Sequence, residues 1–199
     1  LMVCTAAVFG VAACSTDASL ASGQSLPSTG SSQSAQVRMS GGYVMNEDGT
    51  LQQPETNASV PKLNAAALQF TPEAAELAAR HFLALTEYAW ATGDTHPMKD
   101  FSSEECEACL SMVEAIDSLY SSGGWSNGLH YELRKMIRSE EAPDLESTMV
   151  VEMLIENSTR DVFEHHTLEK RASSLSKMTL LLGWDGSTWK ATGVGATAA

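Results

Sequence analysis

Hydrophobic residues recur at helical spacing between Pro72 and Thr92, where they form one stripe and the charged residues lie largely outside it. Thr71 offers a capping hydroxyl, Pro72 suits the first position of a helix, and Gly93 is a typical stop. The segment is therefore predicted to be an amphipathic helix with one buried face. The stripe consists of Ala75, Ala78, Ala79, Phe82, Leu85, Ala89 and Trp90.

A second helical stripe follows a short connector that opens at Asp94 and contains Pro97. The sequence Ser-Ser-Glu-Glu at residues 102–105 has the form of a capping box, which predicts the start of the helix. Gly123 and Gly124 predict its end. The apolar stripe consists of Cys106, Cys109, Leu110, Val113, Ile116 and Tyr120.

Beyond Trp125 the apolar residues alternate with polar ones, which is typical of strands. Asp185-Gly186 is a favoured hairpin turn between the last two predicted strands. Residues 160–170 leave two alternatives, an additional strand or the far side of a long hairpin. The alternating sets are Leu129, Tyr131 and Leu133; Met149, Val151, Met153 and Ile155; Met178, Leu180, Leu182 and Trp184; and Trp189 and Val194. Helices followed by antiparallel strands predict an α+β domain in which the helices pack on one face of a curved sheet.

The N-terminal segment has the pattern of a sorting signal. Residues 1–13 carry no charge, are too short to span a bilayer, and match the length of a signal-peptide apolar region. They end in Val-Ala-Ala followed by Cys14, which resembles the lipobox of bacterial lipoproteins. The resemblance implies that Cys14 carries a diacylglyceryl group, becomes the mature N-terminus and anchors the protein to the extracytoplasmic face of a membrane. Such a signal usually opens with basic residues, but no Lys or Arg precedes Arg38. The alternative interpretation of residues 1–13 is a buried apolar helix.

Residues 14–63 are predicted to be a lipidated cysteine followed by a flexible tether. Eight of the 22 residues from Ser15 to Gln36 are Ser, a composition that buries too little apolar area to offset its ordering entropy. The composition of residues 37–63 is more mixed, and a local turn is expected near Asp48 and Gly49. Residues 64–199 are predicted to be the exported α+β domain.

Charge and composition narrow the possible functions. The 199 residues carry a formal net charge of −13, which argues against nucleic acid as the main partner because binding it needs a basic face. The chain contains no Gly-rich phosphate loop, nucleophile elbow, metal-binding helix motif or calcium loop. We therefore expect no cofactor and no metal site, and the enzyme classes with readable signatures are excluded.

Several motifs in order resemble a known family. The lipobox and Ser-rich tether are followed by Tyr88–Thr95, by Ser102–Cys109 with its CxxC, and by Trp184–Trp189. This order resembles an actinobacterial lipoprotein family of unknown function, and the resemblance covers about residues 70–195. It implies the cone-shaped α+β fold named after nuclear transport factor 2. Members of that fold include small enzymes and binding modules, so the fold alone does not choose a function.

The pair Cys106 and Cys109 has three interpretations. A helix N-terminus lowers thiol pKa values and suits a reactive pair, but Glu104, Glu105 and Glu107 oppose thiolate formation. A zinc site would need histidines to complete four ligands. In an oxidising exported compartment the favoured interpretation is a disulfide between Cys106 and Cys109.

The candidate groups for the interior of a cone-shaped domain come from the two helices and the first strand. His81 on the first helix and His130 on the first strand are possible general bases. Asp117 and Glu114 on the second helix are the carboxylates placed to orient one of them, and a solvated helix face is the alternative for both. Adjacent His165 and His166 are placed on a strand, where their rings point to opposite faces and do not chelate together.

These observations favour a lipid-anchored cell-envelope lipoprotein whose domain binds a ligand or a protein partner without covalent chemistry. The alternative is a small isomerase- or dehydratase-like enzyme that uses His81 or Asp117 in a cavity. A structural spacer is a third possibility. An enzyme requires an ionisable group in a water-accessible cavity, whereas a binding module tolerates a filled interior and acts through its outer surface.

Overall fold

The computed structural model describes residues 37–199, which form one unit by their contacts. Residues 1–36, on which the predicted signal peptide, the predicted lipidation of Cys14 and the Ser-rich part of the predicted tether fall, lie outside the described residues. The helices are α1 (Pro72–Thr92), α2 (His96–Phe101) and α3 (Glu107–Ser121). The strands are β1 (Met39–Ser40), β2 (Tyr43–Val44), β3 (Trp125–Asn127), β4 (Tyr131–Glu141), β5 (Thr148–Asn157), β6 (Arg160–Glu164), β7 (Thr167–Arg171), β8 (Ser174–Trp184) and β9 (Trp189–Ala198). No helix within residues 37–199 is long and apolar enough to cross a membrane.

The predicted bounds of α1 are confirmed. The Thr71 side-chain oxygen accepts a hydrogen bond from the Ala74 N–H at 3.2 Å, and Pro72 occupies the first turn. Gly93 ends the helix in the left-handed conformation with φ 78°. These signals are local, since each acts within one turn of the helix end, which is why the sequence pattern located both ends.

The predicted capping box at residues 102–105 is wrong. Helix α3 begins at Glu107, and the Cys106 sulfur accepts the Cys109 N–H at 3.3 Å. Ser102 is held extended because it forms a parallel bridge with Ala191 of β9. Leu110, which was assigned to the buried stripe, is 40% exposed.

Helix α2 replaces the connector that the sequence indicated after Asp94. It is only six residues long, and two of its side chains, Met98 and Phe101, are buried in the main core. Such a short segment shows no helical period, so its conformation depends on packing against α1, α3 and β9.

The larger sheet has the antiparallel order β4-β5-β8-β9, which confirms the predicted α+β class with antiparallel strands. The described chain contains more strand than helix. Val151 pairs with Leu180 and Met153 with Met178, so the alternating apolar residues of β5 and β8 share one buried face. Helix α1 contacts all four strands. Irregularities in register in β4 and β9 mark bulges, which bend strands.

Residues 160–170 form most of a separate hairpin rather than part of the larger sheet. Strands β6 and β7 pair with each other, and β6 also pairs with β3, giving a three-stranded antiparallel sheet of order β3-β6-β7. Trp125 lies opposite Phe163, and their rings stack with centroids 5.6 Å apart. This pair forms the centre of a second, smaller apolar cluster.

The unit defined by contacts starts at Val37, whereas the sequence placed the start of the domain at residue 64. Tyr43 of β2 packs against Trp125 with ring centroids 4.6 Å apart. The Trp125 indole N–H donates to the carbonyl of buried Leu51 at 3.1 Å. These contacts span about 75 residues of sequence or more, so the local composition of residues 37–63 did not predict them.

The outer face of the larger sheet carries a network of ion pairs centred on Glu152. Its carboxylate accepts hydrogen bonds from Arg138 at 2.8 Å and from Lys177 at 2.9 Å. The hydrogen bond from Lys177, followed by that from Arg138, lowers the pKa of Glu152. Folding therefore stabilises the charged form of the Glu152 carboxylate relative to the unfolded chain.

Glu152→Gln is expected to flatten the acid limb of the stability profile. A carboxylate whose pKa is lowered on folding stabilises the protein above its ordinary pKa of 4.5, and this contribution is lost as the pH falls through the lower folded value. Urea unfolding from pH 7 to pH 2 should thus show a shallower loss in the variant and a lower stability at pH 7. Glu114→Gln, which changes an exposed carboxylate of α3, is the control. An unchanged profile in Glu152→Gln would show that the network does not stabilise the fold.

Candidate functional site

The space between α1 and the larger sheet is filled by apolar side chains. Fully buried groups from the helices and from the sheet meet there, among them Phe82, Leu85, Met98, Met153, Leu180, Leu182 and Trp189. Within residues 37–199, the buried polar side chains are those of Ser and Thr, and no Asp, Glu, His, Lys or Arg is buried. Among the described residues, the interior between α1 and the larger sheet is therefore built from apolar, Ser and Thr side chains.

His81 lies on α1 and packs edge-on against Phe101, with ring centroids 5.0 Å apart. It is partly buried, and this burial lowers the pKa of its imidazole because the charged form loses hydration. Its closest aromatic contact is apolar, which fits a packing role.

Asp117 lies on α3 at the surface, where its side chain is 46% exposed. Its carboxylate accepts hydrogen bonds from Lys99 at 2.9 Å and from the Thr95 hydroxyl at 2.8 Å. The Lys99 bond, followed by the Thr95 bond, lowers the pKa of the Asp117 carboxyl. Asp117 thus ties α3 to the start of α2 and does not meet His81.

His130 is exposed just before β4, and its partner is a carboxylate that the sequence analysis left on the outer face of α1. The Nδ1 atom of His130 lies 3.1 Å from Glu87 Oε1. The same oxygen accepts the Tyr131 N–H, so Glu87 joins α1 to the first residue of β4. The structure places His81, Asp117 and His130 at separate positions and does not bring them into one pocket. Glu87 and His130 are 43 positions apart, and a contact over this separation has no signal in the local sequence.

The predicted disulfide between Cys106 and Cys109 is present. Both residues are buried, and Cys106 caps α3. The bond fixes the first turn of this helix, which follows closely after the bridge between Ser102 and Ala191 of β9. Among residues 37–199 no group of three or more His, Cys, Asp or Glu side chains is arranged to hold a metal ion.

His165 and His166 form the two-residue turn between β6 and β7, so their predicted placement on a strand is wrong. Both have positive φ values, 48° and 61°, as in the type I′ turns that suit a two-residue hairpin.

His165 and His166 border a cleft of about 750 Å³ between this turn, the end of α3 and the loop after β2. Polar side chains of that loop bond to one another, as Asn46 does with Thr50 at 2.8 Å. Trp125 and Phe163, the aromatic side chains beside this cleft, are buried.

A second cleft, of about 550 Å³, lies at one end of the larger sheet and is called here the Trp184 cleft. Trp184 is partly exposed and packs on buried Trp189, with ring centroids 5.0 Å apart. The Asp185 carboxylate holds the adjoining turn by accepting the Ser187 and Thr188 N–H groups at 2.8 Å. The lining residues are Lys99, Asp100, Ser102, Ser103, Glu104, Glu146, Ser147, Gly183, Trp184, Asp185, Lys190 and Thr192.

The Trp184 cleft combines an aromatic surface with hydroxyl groups and charges of both signs. Such a surface is suited to stacking and hydrogen bonding with a polar ligand. Four carboxylates and two lysines line it, so it disfavours an anion. The sequence analysis singled out Ser102–Cys109 and Trp184–Trp189 as motifs, but it did not show that they meet, because that depends on the bridge between Ser102 and Ala191.

The chain belongs to a family of unknown function, DUF6318, whose model matches residues 45–195. We describe two of the solved structures that it resembles. One is the crystal structure of the intermembrane space region of the chloroplast protein ARC6, with 14% identity and a TM-score of 0.48 over 70% of this chain and 100% of that chain. The other is an uncharacterized protein with a cystatin-like fold from Caulobacter vibrioides, with 8% identity and a TM-score of 0.42 over 61% of this chain and 87% of that chain. None of the curated proteins compared with this chain matches it.

Proposed function

We propose that this chain is a lipoprotein of the actinobacterial cell envelope, anchored to the membrane through Cys14, whose α+β domain binds a ligand or protein partner without covalent chemistry. The binding site is the Trp184 cleft. The domain acts on the extracytoplasmic face of the membrane, and residues between Cys14 and Val37 connect it to the lipid.

The observation that carries this proposal is the filled interior. Met, Leu and Trp side chains occupy the space where an enzyme of this architecture would hold its substrate, and none of the Asp, Glu, His, Lys and Arg side chains of the described residues is fully buried. Binding surfaces need no such group, since shape, stacking and hydrogen bonds supply their affinity. A concave aromatic surface at the outside of the domain is therefore a better candidate than a catalytic centre inside it.

The proposed export has two independent supports. The lipobox-like sequence ending at Cys14 predicts lipidation, and two or more acyl chains give lasting membrane attachment. The buried disulfide between Cys106 and Cys109 is typical of an oxidising compartment rather than the cytosol. Both features fit a domain that folds outside the cytoplasm.

Replacing Cys14 with Ala is expected to move the full chain from the membrane pellet to the soluble fraction of its natural host. The physical reason is that the proposed attachment comes from acyl chains on the Cys14 thiol, which an Ala side chain does not carry. Fractionation followed by immunoblotting measures the change. Cys4→Ala, which alters a cysteine outside the lipobox, is the matched control and should remain with the membranes. Continued sedimentation of Cys14→Ala with membranes would contradict the anchor.

The released Cys14→Ala chain also tests the binding site. When added in excess to isolated cell envelopes it should associate with them reversibly, so that the washes of the fractionation release it, and a further Trp184→Ala change should weaken this association about tenfold or more, as for buried aromatic anchors of interfaces. Trp184→Phe keeps a ring and should retain most of the binding. Equal binding by the Trp184→Ala chain would exclude the Trp184 cleft, whether or not the lipid anchor is correct.

A further inference from the structure

Arg160 is a partly buried cation without a described acidic partner. Its guanidinium carbon lies 4.5 Å from the centroid of the Trp90 ring. No carboxylate of residues 37–199 lies within 4.0 Å of its nitrogen atoms. Burial, followed by the charge of nearby Arg171, lowers the pKa of the Arg160 guanidinium. In a chain with net charge −13 such an unpaired, dehydrated cation is unexpected.

Arg171 is placed directly opposite Arg160 in the antiparallel β6–β7 pair. Residues opposite each other share one face of the sheet, and like charges in this arrangement repel. Arg171 has one acidic contact, 3.9 Å from Glu169, and its side chain is 46% exposed. The hairpin register therefore places both arginines on the face that also carries buried Val162.

A cleft of about 240 Å³ opens beside this pair. Its walls come from the last turn of α1, from α3 and from the β6–β7 hairpin. Trp90, Ala115, Leu119 and Val162 supply the apolar part of the wall, and Ser118, Glu164 and Arg171 supply the polar part. The lining residues are Trp90, Ala115, Ser118, Leu119, Val162, Glu164 and Arg171.

The end of α1 and the Trp90 ring explain why the charge of Arg160 is tolerated, but they do not explain Arg171. A cation near a helix C-terminus and over a Trp ring is stabilised by the helix dipole and by the ring. Neither effect requires a second arginine on the facing strand, and the repulsion between the two lowers the benefit. A group that accepts hydrogen bonds from both guanidinium groups would remove this repulsion.

We infer that Arg160 and Arg171 bind the carboxylate of a small ligand whose short apolar part lies in the adjacent cleft against Trp90, Leu119 and Val162. Guanidinium groups match a planar carboxylate, and the apolar walls favour a short hydrocarbon group over a bare inorganic anion. This site is separate from the Trp184 cleft and does not depend on the lipid anchor.

The test uses the full Cys14→Ala chain and sodium butyrate, sodium acetate and sodium phosphate at constant ionic strength. Binding is followed by the NMR signal of the Trp90 indole N–H, assigned by comparison with Trp90→Phe. Butyrate is expected to saturate the site at or below about 10 mM and to bind more tightly than acetate. Tighter binding of phosphate than of butyrate would overturn the carboxylate assignment, and an absence of saturation with all three would overturn the site.

Charge variants locate the anion. Arg171→Gln and Arg160→Gln should each weaken butyrate binding about tenfold, since each removes one charge-assisted contact. Arg171 is exposed, so its variant is informative even where Arg160→Gln fails to fold. Glu164→Gln should tighten binding, because it removes a negative charge from the cleft wall. Arg80→Gln, at an exposed position of α1, makes the same change in net charge and should leave binding unaltered. If Arg80→Gln and Arg171→Gln weakened butyrate binding equally, the effect would come from the overall charge of the protein, and the inference would be overturned.

Discussion

Replacing Trp189 with Ala is expected to lower the free energy of unfolding by about 4 kcal/mol, within the usual range for a large aromatic residue in a core. Trp189 is fully buried, and its ring contacts those of Trp184 and Phe70 at centroid distances of 5.0 and 5.8 Å. Its indole N–H donates to the Ala67 carbonyl at 2.6 Å. The substitution removes this volume and leaves the carbonyl without its partner. Urea unfolding followed by circular dichroism measures the loss.

Trp189→Phe separates the two contributions. It retains an aromatic ring but removes the N–H donor, and it should cost about 2 kcal/mol, since an unsatisfied buried acceptor costs about 1 to 3 kcal/mol. Equal losses for Trp189→Phe and Trp189→Ala would assign the effect to the hydrogen bond. A loss below about 1 kcal/mol in Trp189→Ala would contradict the filled interior, because the cavity that a Trp-to-Ala change leaves in a packed core costs more than this.

Replacing Gly93 with Ala is expected to lower the free energy of unfolding by about 3 kcal/mol. Gly93 has a φ of 78°, where a non-glycine residue costs roughly 1 to 2 kcal/mol. In addition, a Cβ atom at Gly93 would lie 2.5 Å from a carbon of the Tyr120 ring. That ring is held in place because its hydroxyl donates to the Trp90 carbonyl at 2.7 Å. The change therefore disturbs the contact between α1 and α3.

Gly123→Ala is the matched control for the clash. Gly123 has nearly the same φ, 80°, but a Cβ atom there would meet nothing within 4 Å. Its substitution should cost only about 1 kcal/mol, which is the backbone contribution. The difference between the two variants in chemical unfolding measures the contact with Tyr120. Similar losses would show that the Tyr120 ring moves aside and that Gly93 is needed for its φ alone.

The filled interior and the two outer clefts change where function is sought. The sequence analysis placed its candidate bases inside a cone-shaped cavity, but His81 packs on Phe101 and His130 faces the solvent beside Glu87. The Trp184 cleft is built by loops and strand ends. Loops carry most binding residues because a rigid scaffold positions them. The proposed carboxylate site lies instead on a cleft between α1, α3 and the β6–β7 hairpin.

Local signals were sufficient for the features that depend on neighbours in sequence. The ends of α1 follow from Thr71, Pro72 and Gly93, whose effects act within one helical turn. The strands β5 and β8 follow from alternation, because one face of the larger sheet is buried along their length. The disulfide joins residues only three positions apart. The lipobox-like segment ending at Cys14 remains a prediction of the same local kind.

Contacts between distant residues decided the rest. The capping box at residues 102–105 was overridden by a bridge to Ala191, and six residues became α2 because Met98 and Phe101 are buried. The Trp184 cleft unites segments that lie up to 93 positions apart, from Lys99 to Thr192. The charge pair of Arg160 and Arg171 depends on hairpin register, and its contact with Trp90 depends on how α1 meets β6. The pattern of a sequence records which side chains prefer burial, but many partners satisfy that preference equally well, and only the packed structure selects among them.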